Sequence, residues 1–143
     1  MKIKEEVPED FIEAKGMFHI ATMTDLPYQA LSYLFNAKEL LVSAIMDNKS
    51  YLPNYYYLAM TSFKIGVINA ENGKYQEAIK DFDQARENFE IARLCDDFQD
   101  EILNLINSLD EAYSFALEKI GRVIYQKNDR VIGNFRLIST RIM

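Results

Sequence analysis

Tryptophan is absent from the 143 residues, cysteine and histidine occur once each, and there are only three prolines and five glycines. A single cysteine, Cys95, excludes an internal disulfide and cannot build a zinc site unaided, so it reads as a small apolar filler. His19 likewise excludes any triad or metal centre that needs two imidazoles; a structural role beside Phe18 is expected of it. No metal or cofactor is expected. No apolar run approaches the roughly 18 residues that span a bilayer, and the Lys-Ile-Lys-Glu-Glu start lacks the apolar core of a signal peptide, so a cytoplasmic chain is expected. The formal net charge is −6, the wrong sign for general phosphate neutralisation, and nucleic acid is not an expected partner.

Apolar residues are plentiful, and they recur at helical spacing along almost the whole chain. The composition suits one domain over residues 1–143, with residues 1–7 a frayed lead-in. Phe11, Ile12, Ala14, Phe18 and Ala21 predict a first helix that follows Pro8-Glu9-Asp10 and stops near Thr24-Asp25. Pro27 opens a second helix, about 27–47, with Ala30, Leu34, Ala37, Leu41 and Ala44 on one stripe. Asp47 to Ser50 reads as a turn, and Pro53 fits the first turn of a third helix. This helix ends at Asn72-Gly73, where glycine can take the left-handed position without a Cβ penalty. Tyr75, Ala78, Ile79, Phe82, Ala85 and Phe89 then share one face of a fourth helix. Lys80, Asp81, Asp83, Glu87 and Glu90 lie mostly opposite.

Beyond Arg93 the chain turns polar at Asp96-Asp97. Phe98, Ile102, Leu105, Leu109, Ala112, Ala116, Ile120 and Val123 then keep step at three and four residues. Over 97–126 this is either one long helix, favoured by the unbroken phase, or a third hairpin broken at Asn107-Ser108, where Ser108 and Glu111 form a capping-box pattern. The tail, about 129–142, places Val131, Phe135, Ile138 and Ile142 on one side, as a terminal capping helix would. From Arg122 to Met143 five basic residues face one Asp, a surplus of +4 by count. That surplus could meet the acidic middle of the chain, a partner or a membrane surface, or be a solvated helix face.

Within Ser62 to Ala85, Gly66 and Ala78 would let the third and fourth helices approach closely, with Phe82 filling the space beside them. Gly66, Gly73, Tyr75, Ala78, Phe82 and Ala85 stand at the spacing of the tetratricopeptide repeat, and Ile65 is a fair substitute for its Leu; this segment resembles that family. Ser62, Asn69 and Glu90 replace its Trp, Tyr and Pro. A weaker register starts at Phe18, with Asp25 in the loop and Ala30, Leu34 and Ala37 at the later positions. The resemblance implies an all-α array of antiparallel helical hairpins, a superhelix or bundle of five to seven helices.

The same resemblance implies a function. First helices of such hairpins line a concave groove, which would place Met60, Phe63, Val67, Ala70 and Glu71 on it. Phe63 and Val67 occupy two of the positions where chaperone adaptors carry the Lys and Asn that clamp a terminal carboxylate, so an amphipathic helix or apolar peptide is the expected ligand instead. Tyr56 joins these candidates from the cluster Tyr51, Tyr55, Tyr56 and Tyr57. Three consecutive tyrosines splay over about 200° of a helix, so at least one is expected to meet solvent or a ligand, unless the rings pack between neighbouring helices with their hydroxyls at the rim. The expectation is therefore a non-catalytic protein-binding or adaptor module. Its rivals are a self-associating helical bundle or homodimer and a small helical enzyme of the toxin-nuclease type. The Arg-then-His pairing of helical ribonucleases does not end at His19, and no Gly-rich phosphate loop is present.

Overall fold

The computed structural model describes the backbone of residues 7–142 and the side chains of residues 7–122. Among these residues there are five α-helices, one 3-10 turn and no strand: α1 (Glu9–Thr22), α2 (Pro27–Asp47), α3 (Pro53–Glu71), α4 (Tyr75–Ala92) and α5 (Gln99–Ile142), the turn being Asp96–Phe98. The fold is all-α. The expected frayed lead-in lies outside the described residues, apart from Val7.

Helix ends form where the local chemistry asks for them. Glu9 and Asp10 occupy the first turn of α1, next to its positive end, and Pro27 and Pro53 begin α2 and α3, where a missing N–H costs nothing. Gly73 closes α3 at φ 78°. Its N–H donates to the Ala70 carbonyl at 3.0 Å and the Lys74 N–H to the Asn69 carbonyl at 2.8 Å. This is the paired-bond helix stop that a left-handed residue permits.

Cross-helix contacts set the directions. The Ser43 hydroxyl donates to Asp10 at 2.5 Å, while Phe18 and Ala21 share a cluster with Leu34, so α1 and α2 are antiparallel. The Asn69 amide donates to Asp81 at 2.8 Å and Tyr56 meets Phe89, so α3 and α4 are antiparallel too. Arg86 pairs with Asp110 and Tyr75 approaches Phe115, which gives the same relation between α4 and α5. Successive helices therefore alternate in direction, and each packs most extensively on its neighbours in sequence. Two hairpins and a fifth helix result.

The buried stripes match the periodicity: Ala30, Leu34, Ala37, Leu41 and Ala44 on α2, then Ala78, Phe82, Ala85, Phe89 and Ala92 on α4. Ile12 departs from expectation, being 63% exposed while Phe11, Ala14, Phe18 and Ala21 go inside. Position 12 lies about 100° around the helix from Phe11. One core joins α3, α4 and α5; two smaller clusters join α1, α2 and α3. Tyr57 packs against all three, edge-on to Phe11 at 5.4 Å and Phe18 at 5.7 Å.

After the turn at Asp96–Phe98 the chain is a single helix of 44 residues, about 66 Å long. The break considered at Asn107-Ser108 does not occur, since Ile102, Leu109 and Ala116 stay in phase against α4 and are fully buried. The separate terminal helix expected over 129–142 is, in its backbone, the end of α5. Its side chains lie outside the described residues. Among the described residues no helix is long and apolar enough to cross a membrane.

Candidate binding groove

The three consecutive tyrosines leave α3 in different directions, as their spacing requires. The Tyr55 hydroxyl donates to the Lys49 carbonyl at 2.9 Å, and Tyr57 turns toward α1. Tyr56 goes to α5: its ring stacks on Phe98 with centroids 4.5 Å apart, and its hydroxyl donates to Glu101 at 2.5 Å. Burial pushes the phenol's pKa up, and the bond to Glu101 adds to the rise. At 6% exposure Tyr56 is part of the core, which corrects its assignment to a partner-binding surface. The aromatic area that made it attractive is spent on joining α3 to α5.

The next turns of α3 present a different face. Met60, Phe63, Lys64, Val67, Ile68 and Glu71 form one side of a groove of about 410 Å³. The opposite wall is the corner between α1 and α2, from Ala21 to Pro27, with Ala30 and Leu34 behind it, and Leu105 of α5 closes the far side. Four of the six candidate residues, Met60, Phe63, Val67 and Glu71, thus stand together here. Ala70 does not line the groove; it packs against the core of α3, α4 and α5. Position 70 is three residues on from Val67, about 300° around the helix, enough to turn it toward α4.

The corner is held by two side-chain bonds. Thr22 donates to the His19 carbonyl at 2.7 Å and Thr24 to the Ile20 carbonyl at 2.7 Å, so both hydroxyls bond carbonyls in the last turn of α1. On the floor, Phe63 rests edge-on against Phe82 at 5.9 Å, which fixes its ring. The Lys64 ammonium lies 5.6 Å over the Phe18 ring, near enough for a cation–π attraction that draws the stem of the side chain along the groove wall. Its charge and those of Asp25 and Glu71 are the ionic groups among the lining residues.

An apolar cleft with few charges can bury apolar side chains and orient them; it offers no assembled acid–base pair. His19 is exposed and stands edge-on to Phe18 at 5.9 Å. Among the described residues no group of three His, Cys, Asp or Glu side chains could hold a metal ion. Asp81, half-buried in the second turn of α4, has its carboxyl pKa raised by burial, with the Asn69 amide acting the other way. That carboxyl serves the hairpin.

Sequence reasoning missed the corner residues Ala21, Thr22, Asp25 and Pro27, and also Lys64 and Leu105. The corner had a signal in the break at Thr24-Asp25-Leu26-Pro27, which had to sit at one end of the first hairpin. Leu105 had none beyond its stripe. Compared with known families, the chain matches no family model, and no curated protein matches it in sequence.

Proposed function

We propose that this chain is a non-catalytic binding module of the tetratricopeptide-like kind, which takes an amphipathic helix or an extended apolar peptide in the groove along α3. One observation carries the reading: Met60, Phe63 and Val67 lie side by side on a half-exposed face, walled by a second hairpin's corner and by Leu105. Apolar side chains in a preformed cleft favour a ligand that inserts two or three apolar anchors. Asp25, Lys64 and Glu71 would orient the ligand's polar side rather than supply affinity. We place its work in the cytoplasm, in keeping with the lone cysteine.

The test is binding of a set of fluorescently labelled amphipathic helical peptides, read by anisotropy. Val67→Glu should weaken capture at least tenfold, about 1.4 kcal/mol, while the far-ultraviolet circular dichroism stays that of the parent. Equal affinity of parent and variant for every peptide that binds would overturn the groove.

A further inference from the structure

α5 outlasts the helices it packs on. Among the described side chains Ala116 is the last of α5 to be buried, and its neighbour Phe115 stands edge-on to Tyr75, the first residue of α4, at 6.5 Å. The corner between α1 and α2 and the end of α3 at Glu71 line one groove, and α4 starts just after Glu71. The four shorter helices therefore begin or end near the level where α5 leaves them. Its backbone continues without a break to Ile142, so residues 117–142 carry the helix about 39 Å farther. Leu117, the first of them, is 47% exposed.

The sequence of this arm is amphipathic and basic. At about 100° per residue, Ile124, Val131, Phe135, Ile138 and Ile142 fall within about 60° of one another, in line with Leu117. Lys127, Arg130 and Arg141 flank that apolar sector on one side and Arg136 on the other, while Gln126, Asp129, Gly133 and Thr140 fall opposite. Arg122, at the root, pairs with Glu118 at 2.5 Å. Beyond it four basic residues stand against one acid, in a chain whose net charge is −6. An apolar sector with bases on both flanks and few charges behind it is the layout of a helix lying in a membrane interface. Other destinations fit less well. The acidic middle, residues 77–111, lies on α4, the turn after it and the first part of α5, and an unbroken helix cannot turn back to reach it. Nucleic acid would use the bases and leave the apolar sector idle.

We infer that residues 117–142 of α5 lie on an anionic phospholipid surface, with the apolar sector in the acyl boundary and the Lys and Arg charges among the lipid phosphates. The acidic remainder of the chain is repelled by such a surface only over a Debye length, about 8 Å at physiological salt. The arm is several times longer than that, so it can settle while the body stands off. The groove along α3 stays free.

Flotation of the full chain with lipid vesicles tests this. It should bind phosphatidylcholine vesicles that contain phosphatidylserine roughly tenfold or more tightly than phosphatidylcholine alone, and the difference should shrink as salt is raised. Arg130→Glu with Arg136→Glu, and separately Phe135→Glu with Ile138→Glu, should each abolish flotation with the thermal midpoint of the parent unchanged. Because the chain has no tryptophan, Phe135→Trp supplies its single indole. That emission should shift to the blue on phosphatidylserine vesicles, and the emission of Gln126→Trp, on the opposite side, should not. Equal flotation with neutral vesicles, no flotation with either kind, indifference to both double variants, or an unshifted Phe135→Trp spectrum would each overturn the assignment. Self-association that Arg130→Glu with Arg136→Glu abolishes, in a chain that ignores vesicles, would place the arm on the acidic body of a second copy instead. Val67→Glu should float like the parent, so the groove and the arm fail separately.

Discussion

The Phe82 ring lies directly on the backbone of Gly66: a Cβ at that position would stand 2.6 Å from Phe82 Cε1 and 2.7 Å from Cδ1. Phe82 is fully buried and has no room to retreat. The close approach of α3 and α4 therefore depends on a hydrogen atom where other residues carry carbon, and the widest helix–helix contact of the fold is built around it.

Gly66→Ala should accordingly destabilise the chain by about 1–3 kcal/mol, overpacking outweighing the roughly 1 kcal/mol that alanine gains over glycine within a helix. Gly16→Ala in α1, where an added Cβ meets nothing within 4 Å, should instead stabilise by about 0.5–1 kcal/mol. Urea unfolding of the two variants checks the opposite signs. Phe82→Leu combined with Gly66→Ala should recover part of the loss, a coupling that distant sites would not show.

Tyr56 predicts an alkaline sensitivity. Burial, aided by Glu101, raises the phenol's pKa above its ordinary 10.0 in the folded chain. The folded state thus holds its proton more tightly than the unfolded state does. The associated stability is fully present below pH 10.0 and is lost as pH rises toward the folded-state value. Tyr56→Phe keeps the stacking on Phe98 and should cost about 1 kcal/mol at neutral pH for the lost hydrogen bond. Above pH 10 the gap between parent and variant should narrow, as measured by unfolding at a series of pH values.

Adjacent residues on α5 should differ sharply. Leu109 is fully buried against α4, whereas Asp110 pairs with Arg86 through side chains 50% and 39% exposed. Leu109→Ala should cost about 2–5 kcal/mol, and Asp110→Ala less than about 1 kcal/mol because water screens an open ion pair. Thermal melts of both variants decide it; equal losses would mean that α5 is held by charge.

Asn54 is fully buried, and neither its amide nitrogen nor its oxygen has a hydrogen-bond partner among the described residues. Its backbone N–H, donating to the Tyr51 carbonyl, is satisfied independently of the side chain. Replacement by leucine, of similar volume, removes the unpaired groups and should stabilise by about 1–3 kcal/mol. A higher denaturation midpoint with an unchanged slope is the expected result.

What could be learned from the residues alone was the set of local choices. Pro27, Pro53 and Gly73 mark ends because each acts through its own backbone, and the stripes of α2 and α4 are legible because 3.6-residue periodicity is a property of one helix. The unbroken phase from Phe98 to Ala116 is readable for the same reason. Three-dimensional packing decided what each stripe meets. It sent Tyr56 into the contact with α5 and Tyr57 among three clusters, and it brought the corner after α1 and Leu105 from the far end of the chain beside Met60 and Val67. Among the described residues it also left Tyr28, Phe35, Val42 and Met46 of α2 exposed. Period specifies a face; only the crossing of distant helices specifies which face is covered and which remains open.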